Sequence, residues 1–160
     1  MKKFLSLLLM AFMAVSMVNA QIVFDKFKLK KNGYVPAVKS LEISFKHDKI
    51  DEQLKYVKVS WYAVNNVGDV VDGQVSGIDQ THTHVFLRGA RMVGPIPTGK
   101  KRYSKFDTVI VTPLPVTAIP VSIEITHMDD SVVVIEIDRS NYAQYFPNVK
   151  WIDYREPDED

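Results

Sequence analysis

Alternation of apolar and polar residues with a period of two is the sequence feature that most constrains this fold. It recurs from Gln21 onward between turns rich in glycine, proline and asparagine, and no stretch longer than about ten residues shows the 3.6-residue spacing of an amphipathic helix. Residues 38–47 are typical, because Leu41, Ile43 and Phe45 alternate there with polar side chains. The pattern predicts a domain of antiparallel strands, each with one buried face.

Residues 54–71 form an alternating run that contains a tryptophan and ends in a turn rich in asparagine and glycine. Val57, Val59, Trp61 and Ala63 share one face, so we expect them in the core. About seven to nine such strands fit a two-sheet sandwich better than a closed barrel. A tryptophan on a mid-chain strand favours the immunoglobulin-like type, so the predicted fold is an all-β, antiparallel, two-sheet immunoglobulin-like sandwich.

Three further segments give local expectations. Two glycines and two prolines at residues 94–99 predict a break in the sheet, and the basic residues 100–105 that follow are expected in a hairpin tip or a loop. The strand at residues 118–127 is expected to point its alternate residues into the core, namely Ile119, Val121, Ile123 and Ile125.

The N terminus has the three zones of a secretory signal peptide: two lysines, an apolar run at residues 4–17 and a short segment that ends at Ala20. The apolar run is too short for a good membrane span. We therefore expect a protein of the periplasm or the extracellular space. The predicted organisation is a signal peptide at 1–20, a single β-sandwich domain at 21–155 and an acidic C-terminal tail at 156–160.

Cysteine is absent and the charges nearly balance, and both facts limit the function. Without cysteine the exported chain has no lipid-anchor site, no disulfide and no thiolate metal ligand. The 20 basic and 19 acidic residues become 18 and 19 once the two signal lysines are removed, a formal charge of −1. We therefore predict no membrane anchor and no nucleic-acid partner.

Three short motifs resemble those of a known group. Residues 61–69 read WYAVNNVGD, residues 94–96 read GPI and residues 123–131 read IEITHMDDS. The combination resembles small secreted bacterial immunoglobulin- or fibronectin-III-like β-sandwich modules of uncharacterised function, which carry a YAVNxxGD strand end, a GPI turn and an IEYMDG hairpin. The resemblance spans about half of the chain. It implies the fold and supplies no catalytic residues, and Asp130 stands where the pattern has glycine.

His82 and His84 are candidate metal ligands, because residues two apart on a strand project to the same face. Asp79 is a candidate third ligand. Two histidines without a clear third ligand are more often surface or hydrogen-bonding residues, so we predict no metal and no cofactor.

Four aspartates are the candidates for calcium binding or for a hydrolytic carboxylate pair: Asp69, Asp72, Asp129 and Asp130. Turn chemistry explains them more simply, because aspartate in a tight turn hydrogen-bonds its own backbone. The chain also has no Gly-x-Ser-x-Gly elbow and no glycine-rich phosphate loop. We therefore expect no catalytic set.

The C-terminal segment is rich in aromatic residues, which give large contact area at low entropic cost. The simpler interpretation is that Tyr145 or Phe146, together with Trp151, closes the open end of the sandwich. The alternative is an exposed ligand-binding surface for a sugar or a protein. The candidate binding residues are Tyr142, Tyr145, Trp151 and Tyr154.

The sequence as a whole predicts an exported, non-catalytic β-sandwich with a binding or structural role. The first alternative is a carbohydrate-binding module that uses the C-terminal aromatic residues, and the second is an unconventional hydrolase. The partner is then a protein or a glycan, and a homodimer through an exposed strand edge is a further alternative.

The signal peptide yields a first test. We expect the intact mass of the exported protein to correspond to a chain that starts at Gln21. Leu8→Arg places a charge in the apolar run and should leave the uncleaved chain in the cytoplasm, whereas the control Ser6→Ala should be exported normally. A chain that starts at Met1 in the exported fraction would contradict the prediction.

Overall fold

The computed structural model describes residues 22–31, 38–48, 52–71, 73–76, 82–85, 87–111 and 115–157, so the predicted signal peptide lies outside the described residues. Within these ranges the chain forms nine strands and one helical turn, which confirms the all-β class. The elements are β1 (Ile22–Lys31), β2 (Val38–His47), β3 (Leu54–Asn65), β4 (Gly73–Ser76), β5 (His82–Val85), β6 (Arg88–Ile96), β7 (Arg102–Val111), β8 (Val116–His127), β9 (Val132–Glu136) and α1 (Tyr142–Tyr145).

Seven of the described strands form two antiparallel sheets. One sheet has the order β1-β2-β7 and the other has the order β6-β3-β8-β9. The remaining strands, β4 and β5, pair with each other as a hairpin. This hairpin follows β3 and precedes β6 in the sequence, and in space it lies against β7. The chain thus crosses repeatedly between the sheets, as in immunoglobulin-like sandwiches, and the predicted two-sheet sandwich is confirmed.

Trp61 lies in the core between the sheets, with only 2% of its surface exposed. Val57, Val59 and Ala63 are fully buried on the same face of β3, so the predicted inward row is confirmed. The Phe27 ring of β1 meets the Trp61 ring edge to face, with the centroids 6.4 Å apart. Burial of one large apolar side chain contributes about 1.5–3 kcal/mol, so this row strongly favours the closed sandwich.

Two strands extend into segments that the sequence predicts as breaks or loops. β6 continues through Gly94 and Pro95 to Ile96. Proline is tolerated there because β6 is an edge strand, whose outer side needs no ladder hydrogen bonds. β7 begins at Arg102, inside the predicted basic loop, because Arg102 pairs with Phe45 of β2.

A β-bulge in β8 changes the face of two residues expected in the core. Val121 is an extra residue, because its neighbours Pro120 and Ser122 face consecutive residues of β3. Ile119 consequently lies opposite Tyr62 on the outer face, where it is nonetheless fully buried. The predicted burial in the core is therefore confirmed for Ile119, although it faces the other side of the sheet, and is wrong for Val121, which is only partly buried.

Glu42 lies on the outer face of the β1-β2-β7 sheet and is only 8% exposed, because lysine side chains surround it. Its Oε2 lies 2.7 Å from Lys26 Nζ and 3.1 Å from Lys30 Nζ. The strand register also places Lys28 and Lys105 directly opposite it. The hydrogen bond from Lys26, reinforced by Lys30, lowers the pKa of the Glu42 carboxyl from 4.5 to about 2.

The lowered pKa of Glu42 predicts an acid-dependent loss of stability. A carboxyl whose pKa is lower in the folded state stabilises the fold above pH 4.5 and loses this contribution as the pH falls towards 2. We expect Glu42→Gln to lower the free energy of unfolding by about 1–2 kcal/mol at pH 7, after allowance for solvent screening, and by almost nothing at pH 2.

Urea titrations between pH 2 and pH 7 measure this difference. Glu124→Gln is the matched control, because Glu124 forms an exposed pair with Lys58 at 3.7 Å and its replacement should change stability by less than about 0.5 kcal/mol. A Glu42→Gln effect that does not depend on pH would contradict the electrostatic explanation.

Candidate functional site

The C-terminal segment, defined here as residues 137–157, is anchored in the core by one aromatic ring. Phe146 is fully buried, and its ring stacks on Phe24 of β1 with centroids 4.6 Å apart and an interplanar angle of 14°. It also meets Phe27 edge to face at 5.0 Å. Asn148 Nδ2 donates to the Asp25 carbonyl at 2.9 Å, which ties the segment to the β1 edge. The segment is therefore part of the folded domain.

A tight turn at residues 138–141 leads from β9 into this segment. Asp138 Oδ1 accepts hydrogen bonds from the Ser140 hydroxyl at 2.6 Å and from the Ser140 amide at 2.7 Å. Asn141 Oδ1 accepts in return from the Asp138 amide at 3.0 Å. The Ser140 hydrogen bonds lower the pKa of the Asp138 carboxyl, so it stays ionised and holds the turn.

Trp151 is the centre of a partly buried aromatic cluster. Its ring lies 5.0 Å from that of Tyr142 and 6.2 Å from that of Tyr154, centroid to centroid. Tyr154 in turn meets Tyr62 of β3 edge to face at 5.2 Å. Burial raises the pKa of the Tyr154 hydroxyl, with smaller contributions from Glu156 and Tyr62, so this hydroxyl remains a hydrogen-bond donor at neutral pH.

Hydrogen bonds fix the orientation of Trp151. Its indole Nε1 donates to Asp153 Oδ1 at 3.0 Å. The other carboxylate oxygen, Asp153 Oδ2, accepts from Arg139 Nη1 at 2.6 Å. One aspartate therefore links the tryptophan to the turn at residues 138–141, so the aromatic cluster is held in place before any ligand arrives.

A shallow groove of about 380 Å³ runs between this cluster and the end of β9. Aliphatic side chains and two aromatic rings provide its apolar surface. Four carboxylates and one arginine provide its charged groups, so the groove carries a net negative charge. The lining residues are Val121, Glu136, Ile137, Asp138, Arg139, Trp151, Asp153, Tyr154 and Glu156. An apolar wall beside acceptor oxygens suits a ligand that combines an apolar face with hydroxyl or amino groups.

Three of the four predicted binding residues come together here. Trp151 and Tyr154 line the groove, and Tyr142 packs behind Trp151. Tyr145 is different, because it is only 3% exposed and belongs to the core. The aromatic segment thus contributes rings to the core and rings to the surface, and ligand binding by the surface rings stays a prediction. The side chains of the metal candidates His82 and His84 lie outside the described residues, although their strand β5 is described.

Sequence reasoning missed the polar residues of the groove, which include Asp138, Arg139 and Asp153. Their contribution depends on contacts between the turn and the end of the chain. The only local signal is the turn chemistry of Asp138 and Asn141, which predicts a sharp reversal after β9. Val121 enters the groove through the bulge, and Pro120 is the local signal for it, because proline inside a strand is found mainly at edges and bulges.

Three of the four aspartates considered for calcium or hydrolysis are described, and they do not converge; Asp72 lies outside the described residues. Asp129 and Asp130 lie in the β8–β9 turn, next to the start of β3, whereas Asp69 lies beyond the end of β3. The length of β3 separates the two turns by about 35 Å, at roughly 3.3 Å per residue. Asp129 accepts from Ser131, Asp130 pairs with Lys55, and Asp69 accepts from Asn65. The second alternative, a hydrolase, has no carboxylate pair at these positions.

No group of three or more histidine, cysteine or acidic side chains in the described ranges could hold a metal ion. No helix in the same ranges is both long and apolar enough to cross a membrane.

A second concavity, of about 400 Å³, lies at the opposite end of β3. His127 Nδ1 contacts Glu52 Oε1 at its edge, and Gln53, Met128 and Asp129 complete the lining. Its lining includes no phenylalanine, tyrosine or tryptophan, so the C-terminal groove is the better candidate for ligand binding.

Comparison of the chain with protein-family models, with curated proteins and with solved structures gives no match. The resemblance to small secreted bacterial modules therefore stays a prediction. The geometry of the chain itself is the basis for the functional proposal.

Close packing on Gly68 positions the end of the C-terminal segment. A Cβ at Gly68 would lie 2.7 Å from the carbonyl oxygen of Asp153, and the Gly68 φ of +94° is unfavourable for other residues. Gly68 also accepts a backbone hydrogen bond from the Arg155 amide at 3.3 Å. We expect Gly68→Ala to lower the free energy of unfolding by about 2–4 kcal/mol and to shift tryptophan emission to the red as Trp151 is released.

Gly99→Ala is the matched control, because Gly99 also has a positive φ, +72°, but no atom lies within 4 Å of its added Cβ. It should lower the free energy of unfolding by only about 1 kcal/mol and leave the emission unchanged. Urea unfolding followed by circular dichroism and fluorescence compares the two variants. Equal effects would show that packing on Gly68 does not position the segment.

Proposed function

We propose that this chain is an exported, non-catalytic β-sandwich whose C-terminal groove binds a ligand. The observation that carries the proposal is the rigid aromatic cluster beside the groove, where Trp151 is held by Asp153 and packs against Tyr142 and Tyr154. A preorganised aromatic surface loses little conformational entropy when a ligand binds. The three zones of the N-terminal sequence support export to the periplasm or the extracellular space.

A carbohydrate is the ligand class that this groove favours. The C–H face of a sugar ring packs on an aromatic ring, and its hydroxyl groups donate to carboxylate oxygens. Trp151 and Tyr154 offer the rings, and the exposed carboxylates of Glu136 and Glu156 offer acceptors. Because four carboxylates face one arginine, neutral sugars and amino sugars should bind better than acidic sugars.

A catalytic role has less support from the same geometry. Two of the four groove carboxylates already have other partners, because Asp138 is engaged in its turn and Asp153 is shared between Arg139 and Trp151. A general acid or base must instead reach the reacting group at hydrogen-bonding distance. Binding without turnover is therefore the function that these contacts favour.

A glycan array followed by titration of the best-bound oligosaccharide tests the proposal. We expect Trp151→Ala to weaken binding by at least about tenfold, because the stacking surface is lost. Tyr103→Ala is the control, since Tyr103 is 51% exposed on β7, outside the groove, and its replacement should leave the affinity unchanged.

Far-UV circular dichroism should give the same spectrum for both variants and the parent protein. Absence of binding to any glycan would remove carbohydrate as the ligand class. Equal affinity of the Trp151→Ala variant and the parent protein would show that the groove is not the binding surface.

A further inference from the structure

Three of the four outer sheet edges are protected against pairing with another chain. On β1, the lysines at positions 26, 28 and 30 place positive charge along the edge. The Asn148 side chain also donates a hydrogen bond to the Asp25 carbonyl oxygen, which another strand would otherwise use. On β6, Arg102 Nη2 donates to the Val93 carbonyl at 3.3 Å, and Pro95 lacks an amide donor. The β4–β5 hairpin lies against β7.

The fourth edge, β9, is protected only at its last residue. Its sequence is VVVIE, without lysine, arginine, proline or glycine. Val132 is 54% exposed and Val134 is 55% exposed. Among the described residues no strand pairs with its outer side, and only its last carbonyl, that of Glu136, is taken by a side chain, Asn141 Nδ2 at 2.9 Å. Residues 132–135 therefore present an open backbone edge with apolar side chains.

We propose that β9 is a docking edge for an extended segment of a protein partner, which adds to the sheet as a fifth strand. Main-chain hydrogen bonds would supply affinity, and the exposed valines would contact alternate side chains of the partner. This interaction goes beyond ligand binding in the groove, because it uses the backbone of β9 and neither Trp151 nor Tyr154.

The charges around β9 specify the partner's composition. Asp129 and Asp130 precede the strand, and Glu136 and Asp138 lie at its other end. In antiparallel pairing with a second copy centred on Val134, Asp138 would lie opposite Asp130 and Arg139 opposite Asp129, so repulsion and attraction would offset each other at each end. A segment with β-branched residues in the middle and a lysine or arginine at each end meets opposite charges instead. The occupant is therefore a basic-ended, extended peptide of another protein.

Fluorescence anisotropy with labelled peptides and the purified exported protein tests this docking edge. The probe is the capped peptide Lys-Val-Thr-Val-Thr-Val-Lys, and its counterpart has glutamate at both ends. We expect saturable binding of the lysine peptide and at least about tenfold weaker binding of the glutamate peptide, because each end changes from attraction to repulsion.

Two variants locate the interaction. Val134→Lys places a protecting charge on β9 and should weaken binding of the lysine peptide by at least about tenfold. Val93→Lys is the matched control, because Val93 is 57% exposed on the opposite edge strand β6, and it should change the affinity by less than about twofold. Amide chemical shifts of residues 132–135 should change with the lysine peptide and not with the Trp151→Ala substitution.

Several outcomes would overturn the proposal. They are absence of lysine-peptide binding, equal binding of the two peptides, and equal effects of the two lysine variants. Sedimentation of the protein alone adds one more: a dimer that Val134→Lys dissociates would show that the occupant is a second copy. Loss of glycan binding in Trp151→Ala with intact peptide binding would separate the groove from the edge.

Discussion

The aromatic packing between the sheets is the interaction on which the rest of the structure depends. Trp61 and Phe27 join the two sheets, and Phe146 stacks on Phe24 from the C-terminal segment. The described core has no covalent cross-link, since the chain contains no cysteine, so the packing of these rings and their aliphatic neighbours holds the layers together. The same cluster thus determines the sandwich and the path of the chain after β9.

The path of the C-terminal segment creates the candidate site. Once Phe146 is buried, the following residues are held near the outer face of β3, where Tyr154 meets Tyr62. Gly68 allows the backbone of Asp153 to approach closely, since any side chain there would collide with it. One short segment therefore contains both the ring that is buried in the core, Phe146, and the ring that packs on the outer face of β3, Tyr154. The groove forms between this segment and the end of β9.

The two sheets differ in how polar side chains protect their edges. On the β1-β2-β7 sheet, the lysines that surround Glu42 also discourage another chain from pairing with β1. On the other sheet, arginine and proline protect β6, while β9 retains exposed valines between acidic ends. The domain therefore presents two distinct surfaces near the end of β9, a groove with aromatic rings and an open strand edge.

Alternation in the sequence by itself determined the all-β class, most strand positions and the burial of Trp61, because a period of two directly reports which face of a strand is apolar. The aromatic content of the C-terminal segment also made it a candidate binding surface, but this content could not separate Tyr145 in the core from Trp151 at the groove. Three features were decided only by the tertiary structure: the bulge at Val121, the continuation of β6 through Pro95, and the joining of Asp153 to Arg139 and Trp151. Each of them depends on which strand or segment lies alongside: β3 is the neighbour of Val121 and of Pro95, and the turn after β9 brings Arg139 to Asp153. Local signals such as Pro120 indicate an irregularity, but the neighbouring strand or segment decides its geometry.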